Sequence, residues 1–163
     1  MFQNNSDLTI IFYTCNYISD FFMKNITDQL KIAANGAHII SVSQKPMDLG
    51  ENICVGDIGR STYNIYKQIL IGAKAAKTEY VATADDDVLY SKEHFEYRPA
   101  KGIFAYDVCK WSLFTWDTGR PIFTYKGHRR TMTSLIVDRE SLIKTLEERY
   151  DKYPILKKVP KRF

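Results

Sequence analysis

The sequence is poor in cysteine: its 163 residues include only Cys15, Cys54 and Cys109, with no Cys-x-x-Cys pair. An odd number of scattered cysteines argues against a disulfide framework and against a structural zinc site. Unpaired cysteines suit a reducing compartment, and we expect these small residues to fill the core. The sequence therefore predicts a cytoplasmic protein without cross-links.

Long apolar runs and strong net charge are also missing. No run approaches the ~20 residues that a helix needs to span a bilayer. The polar start, Met1 to Asp7, has no basic flank before an apolar core, which predicts no signal peptide. A net charge of +4 is too small for a dedicated nucleic-acid binder. We expect a soluble, intracellular protein.

The size and composition predict one catalytic domain over residues 1–153 and a basic tail over residues 154–163. With 45% hydrophobic and 13% aromatic residues, the chain can bury a substantial core. The tail holds Lys157, Lys158, Lys161 and Arg162. It is either a solvated end or a contact for a polyanion such as DNA or an acidic membrane surface.

Apolar strands alternate with amphipathic helices in the first half of the chain, which predicts an α/β fold with a mainly parallel central sheet flanked by helices. The predicted strands are Leu8–Thr14, Ala37–Val42 and Tyr80–Ala84; the helices cover Ile18–Ala34 and the stretch from Ser61 or Thr62 to Ala76; Met47–Gly59 is a loop. The second half predicts strands Ile103–Tyr106, Pro121–Tyr125 and Thr133–Val137, then a helix capped by Asp138.

Three consecutive carboxylates, Asp85, Asp86 and Asp87, follow the predicted strand Tyr80–Ala84. Ligands of open α/β sheets bind at the carboxyl ends of strands. Hard cations such as Mg²⁺ or Mn²⁺ take carboxylate oxygens as ligands and share their shell with substrate phosphates. The triplet therefore predicts a divalent cation site; the alternative is a solvated acidic turn.

The stretch from Gly59 into the triplet resembles the nucleotide-sugar half of GT-A glycosyltransferases, particularly the family 2 type. In both, a loop glycine precedes a helix with a Gly-Ala step (here Gly72-Ala73), and a strand beginning Glu79-Tyr80 runs into Asp-Asp-Asp. Ile10 to Asn16 is similar to the family's first strand. The resemblance covers about Leu8 to Leu142. It implies a small GT-A fold of the phage type that uses Mn²⁺ or Mg²⁺ and a nucleotide-sugar, with a UDP-sugar favoured.

The resemblance also assigns roles. Asp87 and Asp85 would bind the metal, Asp85 and Asp86 would contact the donor, and His128 would complete the metal shell. Arg60, Ser61 and Asn64 stand where relatives bind diphosphate, although the usual Ala-Arg-Asn run is replaced here. A helix N-terminus favours phosphate there. Further donor-contact candidates are Arg129 and Arg130 for the diphosphate, and Thr14 and Asn16 for the base or ribose; each is otherwise an ordinary turn residue.

The catalytic base is the least defined part of the predicted site. An inverting enzyme needs a carboxylate that takes the acceptor's proton, and the Glu-Asp pair that commonly supplies it in family 2 is absent. Asp117, within an aromatic loop, is our first candidate, and Asp107 and Asp138 follow; Asp138 also has its helix-cap role. Trp111, Trp116 and Tyr106 are candidates for stacking on a sugar or base, or for the core. A retaining mechanism would need no such base.

Three functions follow as hypotheses. The first is transfer of a sugar to a hydroxyl acceptor, either a polysaccharide or lipid-linked glycan or a hydroxymethylated base of DNA. The alternatives are a metal-dependent nucleotidyltransferase, disfavoured because no glycine follows the first strand, and a non-catalytic nucleotide-sugar-binding module. Little chain follows the last helix to form an acceptor-binding half, so assembly with a partner chain or as a homo-oligomer is also considered.

Overall fold

A computed structural model describes residues 5–114, 120–125 and 127–154 as helices packed on both faces of a central sheet. The strands are β1 (Leu8–Thr14), β2 (His38–Ser43), β3 (Glu51–Cys54), β4 (Tyr80–Asp85), β5 (Ala105–Tyr106), β6 (Trp111–Phe114), β7 (Ile122–Tyr125) and β8 (Leu135–Asp138). The helices are α1 (Asp20–Ala34), α2 (Thr62–Ala75) and α3 (Arg139–Lys152). The proposed tail after Pro154 lies outside the described residues, so the domain boundary stays a prediction.

The main sheet has the strand order β3-β2-β1-β4-β8-β5. Its first four strands run parallel, and β8 lies antiparallel between β4 and β5. The predicted fold class is thereby confirmed. All seven residues of β1 are buried, because helices cover this central strand on both faces.

Two hydrophobic clusters hold the helices on the sheet. One face of β1 presents Leu8, Ile10 and Phe12 to α1, where Ile26 and Leu30 are buried. The other face presents Ile11 to α2 and α3. Gly72 permits close packing of α2, since a Cβ at this position would lie 2.5 Å from Cγ2 of Ile11.

The predicted helix caps are confirmed at α2 and α3. The Oγ atom of Ser61 accepts a hydrogen bond from the amide of Asn64 at 3.1 Å. The Oδ1 atom of Asp138 accepts one from the amide of Ser141 at 2.9 Å. Each bond satisfies an amide that has no partner within the first helical turn.

Three predictions about the loops, helices and cysteines were wrong. Met47–Gly59 contains β3, a short edge strand whose mixed pattern carries no strong strand signal. Helix α1 begins at Asp20 rather than at Ile18, and Phe21, one of the apolar residues that recur at helical spacing there, is 78% exposed. Cys54 and Cys109 are exposed and therefore do not fill the core.

The second half departs further from the sequence pattern. The predicted strand Ile103–Tyr106 shortens to the two residues of β5, and β6 was not predicted. Strand β7 pairs with β6 in a separate two-stranded sheet. Residues 132–134 form a 3₁₀ turn before β8. Pairing between β6 and β7 depends on contacts that no local pattern encodes.

The strand order places a crevice at the carboxyl ends of β1 and β4. From β1 the chain moves outward to β2 and β3, and it then returns to β4 on the other side of β1. Such a switch point is where open α/β sheets bind ligands. Among the described residues, no helix is long and apolar enough to cross a membrane.

Candidate functional site

The acidic triplet lies at this crevice. Asp85 ends β4 and pairs in register with Tyr13 of β1. One carboxylate oxygen from each of Asp85, Asp86 and Asp87 lies within 4.8 Å of the others. Asp85 and Asp86 are partly buried, whereas Asp87 is exposed. The fold thus holds two carboxylates against the protein and leaves the third open to solvent.

Two tyrosines position Asp85, and sequence reasoning identified neither. The hydroxyl of Tyr13 donates to Oδ2 of Asp85 at 2.9 Å. The hydroxyl of Tyr90 accepts from the amide of Asp85 at 3.0 Å and donates to the carbonyl of Thr133 at 2.6 Å. Tyr90 therefore joins the end of β4 to the turn before β8. The position of Tyr13 near the end of β1 could have indicated that it lies at the site. No feature of the sequence indicates that Tyr90 contacts Thr133.

Thr14 and Asn16, the candidate contacts for the base or ribose, use their side chains to bond within the protein itself. The Oγ1 atom of Thr14 donates to Asp86 and accepts from the amide of Asn16 at 2.8 Å. The Oδ1 atom of Asn16 accepts from the amides of Gln44 and Lys45 at 2.9 and 2.8 Å. These bonds tie the ends of β1 and β2 together beside the acidic residues.

The triplet is electrostatically unfavourable without a counter-charge. Burial, followed by the negative charge of Asp87, raises the pKa of Asp85 to about 7, although the Tyr13 hydroxyl opposes the shift. Burial also raises the pKa of Asp86, against the Thr14 hydrogen bond and the charge of Arg60. A divalent cation would relieve this repulsion, and carboxylate oxygens are the donors that Mg²⁺ and Mn²⁺ accept. The residues present therefore fit such an ion.

The start of α2 brings Arg60 to the site and uses its neighbours otherwise. The guanidinium of Arg60 stacks on the ring of Tyr17, 4.0 Å from its centroid. Ser61 is the helix cap, and the Nδ2 atom of Asn64 donates to the carbonyls of Ile58 and Gly59. Ser61 and Asn64 therefore use their side chains to stabilise the loop and the helix start. Among the three predicted diphosphate contacts, Arg60 is the one whose side chain does not have this role.

Gln68 is a support that the sequence analysis missed. It is only 2% exposed, and its Nε2 atom donates to the carbonyls of Thr14 and Val42, both at 2.8 Å. The amide thus links α2 to the carboxyl ends of β1 and β2. A lone polar residue next to Ile69 on the buried face of a helix was the available signal.

His128, Arg129 and Arg130 lie on an exposed turn after β7. Within the described residues, the cluster of potential metal ligands consists of the triplet, and His128 is not part of it. His128 has a left-handed backbone, with φ of 66°. Burial raises the pKa of Tyr106 and the charge of Arg130 opposes this shift; burial lowers the pKa of Lys110 and the charge of Arg129 adds to that shift.

The three carboxylates considered as catalytic base lie in different parts of the chain. Asp138 pairs in register with Tyr80, at the opposite end of β4 from the triplet, and its carboxylate also accepts from the amide of Gly102 at 2.7 Å. This position and these bonds exclude it from the candidate site. Asp117 and Trp116 lie outside the described residues. Asp107 lies beside His94, with 3.3 Å between Oδ2 and Nδ1.

No protein-family model matches the chain, and no curated protein matches it significantly. Solved structures do share its architecture. The glycosyltransferase GlyE of Streptococcus pneumoniae TIGR4 is similar at a TM-score of 0.54 and 14% identity, over 94% of this chain and 40% of GlyE. The chain has a GT-A-like fold.

The bifunctional protein IspDF of Campylobacter jejuni is similar at a TM-score of 0.52 and 16% identity, over 88% of this chain and 44% of IspDF. The chain thus spans less than half the length of either protein. At such low identities, these likenesses establish the fold and leave the reaction to be argued from the site.

Proposed function

We propose that this protein is a metal-dependent glycosyltransferase that moves a sugar from a nucleotide-sugar to a hydroxyl acceptor. One observation carries the proposal: three clustered carboxylates lie at the switch point of a GT-A-like sheet. Their mutual repulsion favours a cation, and the switch point favours a nucleotide ligand. The glycosyltransferase GlyE shares this fold.

The side chains of the triplet have distinct proposed roles. Asp87, which is exposed, and Asp85 would hold Mn²⁺ or Mg²⁺, and Asp86 would support the donor. A bound cation supplies positive charge that stabilises a diphosphate leaving group. Tyr13 and Thr14 hold two of the carboxylates in place before any ligand arrives. This preorganisation lowers the cost of forming the site.

The donor would lie between the triplet and the start of α2. Arg60 is the proposed diphosphate contact, because its charge already reaches Asp86. The backbone around Thr14 and Asn16 would border the base of a UDP-sugar. His128, Arg129 and Arg130 remain proposed ligands that would have to approach from their exposed turn.

The acceptor of the sugar and the oligomeric state of the protein form the second part of the proposal. We propose a polysaccharide or lipid-linked glycan as the acceptor, with the hydroxymethylated base of DNA as the other candidate. A salt-sensitive association with duplex DNA would support the second. We also propose a homo-oligomer, which sedimentation measurements would test.

A donor panel tests the proposed function. We expect one of several UDP-, GDP- and TDP-sugars to raise the melting temperature in the presence of Mn²⁺ and to leave it unchanged with EDTA. Slow release of free nucleotide would then identify an enzyme rather than a binding module. If no nucleotide-sugar stabilises the protein, the proposal fails; pyrophosphate release from a nucleoside triphosphate and a sugar phosphate would indicate nucleotidyl transfer instead.

Cation binding should depend on pH because Asp85 titrates near neutrality. Its pKa of about 7 lies above the ordinary value of 3.8, so the proton competes with the cation as the pH falls through 7. We expect the Mn²⁺ affinity to fall by up to about tenfold per pH unit below that value and to level off above it. Calorimetric titrations between pH 5.5 and 8 measure this; an affinity that rises on acidification would contradict it.

A further inference from the structure

A cavity of about 450 Å³ lies at the β5 edge of the main sheet, apart from the triplet. Its lining includes Glu93, His94, Tyr97, Tyr106, Asp107 and Ser134. This volume lies within the range of small-molecule sites. The lining combines apolar surface with a few polar groups, which is the usual composition of a site that orients a small ligand.

A histidine and a carboxylate form a pair in this lining. The Nδ1 atom of His94 lies 3.3 Å from Oδ2 of Asp107, whose Oδ1 accepts from the amide of Cys109 at 2.8 Å. An ionised carboxylate only accepts hydrogen bonds, so Nδ1 must be the donor. In the neutral ring, the Nε2 atom then carries a lone pair.

That lone pair is buried without a partner. The side chain of His94 is only 6% exposed, and Nε2 has no hydrogen-bond partner among the described residues. Burial lowers the pKa of His94, and the charge of Asp107 opposes the shift. Buried polar atoms are nearly always paired, so this nitrogen indicates a missing hydrogen-bond donor.

We propose that the cavity binds a hydroxyl-bearing sugar ring and that a small shift of the lining lets one of its hydroxyl groups donate to Nε2 of His94, an atom with almost no exposed surface in the free protein. The carboxylates of Glu93 and Asp107 would accept from further hydroxyls, while Tyr97 and Tyr106 offer aromatic surface to the ring. None of the described lining residues is a lysine or arginine. A neutral polyhydroxyl ligand suits this lining better than a phosphate does.

Tyr90 contacts both a residue of the cavity lining and a residue of the triplet. The ring centroids of Tyr90 and His94 are 5.1 Å apart, and the hydroxyl of Tyr90 contacts the amide of Asp85. The cavity therefore lies close to the candidate cation site. The binding of a sugar in this cavity does not depend on the proposed function. The further assignment of that sugar to the acceptor does depend on it.

The experiment is an NMR titration of the isotope-labelled full chain with methyl glycosides of glucose, galactose and N-acetylglucosamine. We expect His94 in the Nδ1–H tautomer and a shift of its Nε2 signal with at least one glycoside. The signals of His38 and His128 should not move. His38, an exposed histidine whose Nε2 lies 3.4 Å from Glu51, is the matched control.

Variants separate binding from a structural role. His94→Gln should weaken glycoside binding by about tenfold, the loss of one buried hydrogen bond, and His38→Gln should leave it unchanged. Asp107 would both position His94 and contact the sugar, so Asp107→Asn should alter the tautomer signature of His94 as well as the affinity. If a variant misfolds, the wild-type titration decides.

Three results would overturn the inference: an Nε2–H tautomer at His94, no cavity signal moved by any of the glycosides, or binding of inorganic phosphate in their place. The donor panel with Mn²⁺ is independent of these measurements. If the protein binds a nucleotide-sugar donor but no glycoside, only the assignment of the cavity as a sugar site is wrong. Glycoside binding without donor binding leaves the cavity assigned and removes the proposed function.

Discussion

Replacing Asp87 with alanine should abolish cation-dependent stabilisation by the nucleotide-sugar donor. Asp87 is the exposed member of the triplet, and no described side chain hydrogen bonds to its carboxylate, so it is available to an ion. A donor at a hundred times its Kd adds about 3 kcal/mol, or roughly 5–10 °C in melting temperature, to the wild type. We expect the variant to lose this shift and at least about a hundredfold in transfer rate.

Differential scanning fluorimetry with and without Mn²⁺ measures the shift, and release of the nucleotide measures the rate. Asp28→Ala is the matched control, because Asp28 is an exposed aspartate on α1 whose ion pair with Lys24 contributes little stability. Without ligand, Asp87→Ala should melt no lower than the wild type, since it removes a repulsive charge. A variant that retains the donor shift would remove Asp87 from the site.

Replacing Phe12 with alanine should cause the largest loss of stability. Phe12 is fully buried in the centre of β1, within the cluster that joins the sheet to α1. Removal of a buried phenyl ring costs about 3–5 kcal/mol through lost transfer energy and the cavity left behind. This is a large part of the roughly 5–15 kcal/mol that stabilises a typical domain.

Urea unfolding followed by circular dichroism measures this loss. Phe21→Ala makes the same chemical change at a side chain that is 78% exposed, and we expect its effect to stay within about 0.5 kcal/mol. Equal losses at the two positions would show that β1 does not lie in the core. The comparison therefore tests the layer order of the fold as well as one side chain.

The reach of sequence reasoning differs between the two halves of the chain. Helix α2, strand β4 and the triplet were predicted because apolar spacing, the Ser61 cap and the acidic run are all local signals. Where local signals are weak, as at β3 and β6, the strands were missed. Their formation depends on partner strands rather than on their own residues.

The supports of the site were hidden for the same reason. Tyr90 reaches Thr133, 43 positions away, and His94 reaches Asp107 across β5. Asp138 illustrates the reverse error, because a plausible carboxylate after a strand lies at the wrong end of the sheet once β8 runs antiparallel to β4. Strand direction is a tertiary property that a run of apolar residues does not specify.

The sequence by itself determined the fold class, the main helices with their caps, and the location of the acidic triplet after a buried strand. Each of these depends on residues that are neighbours along the chain. The tertiary structure alone decided which carboxylate stays exposed, which tyrosines hold Asp85, and that a histidine in the lining of a cavity buries an unpartnered nitrogen. Those properties arise from burial and from contacts between distant segments, and both exist only after the chain has folded.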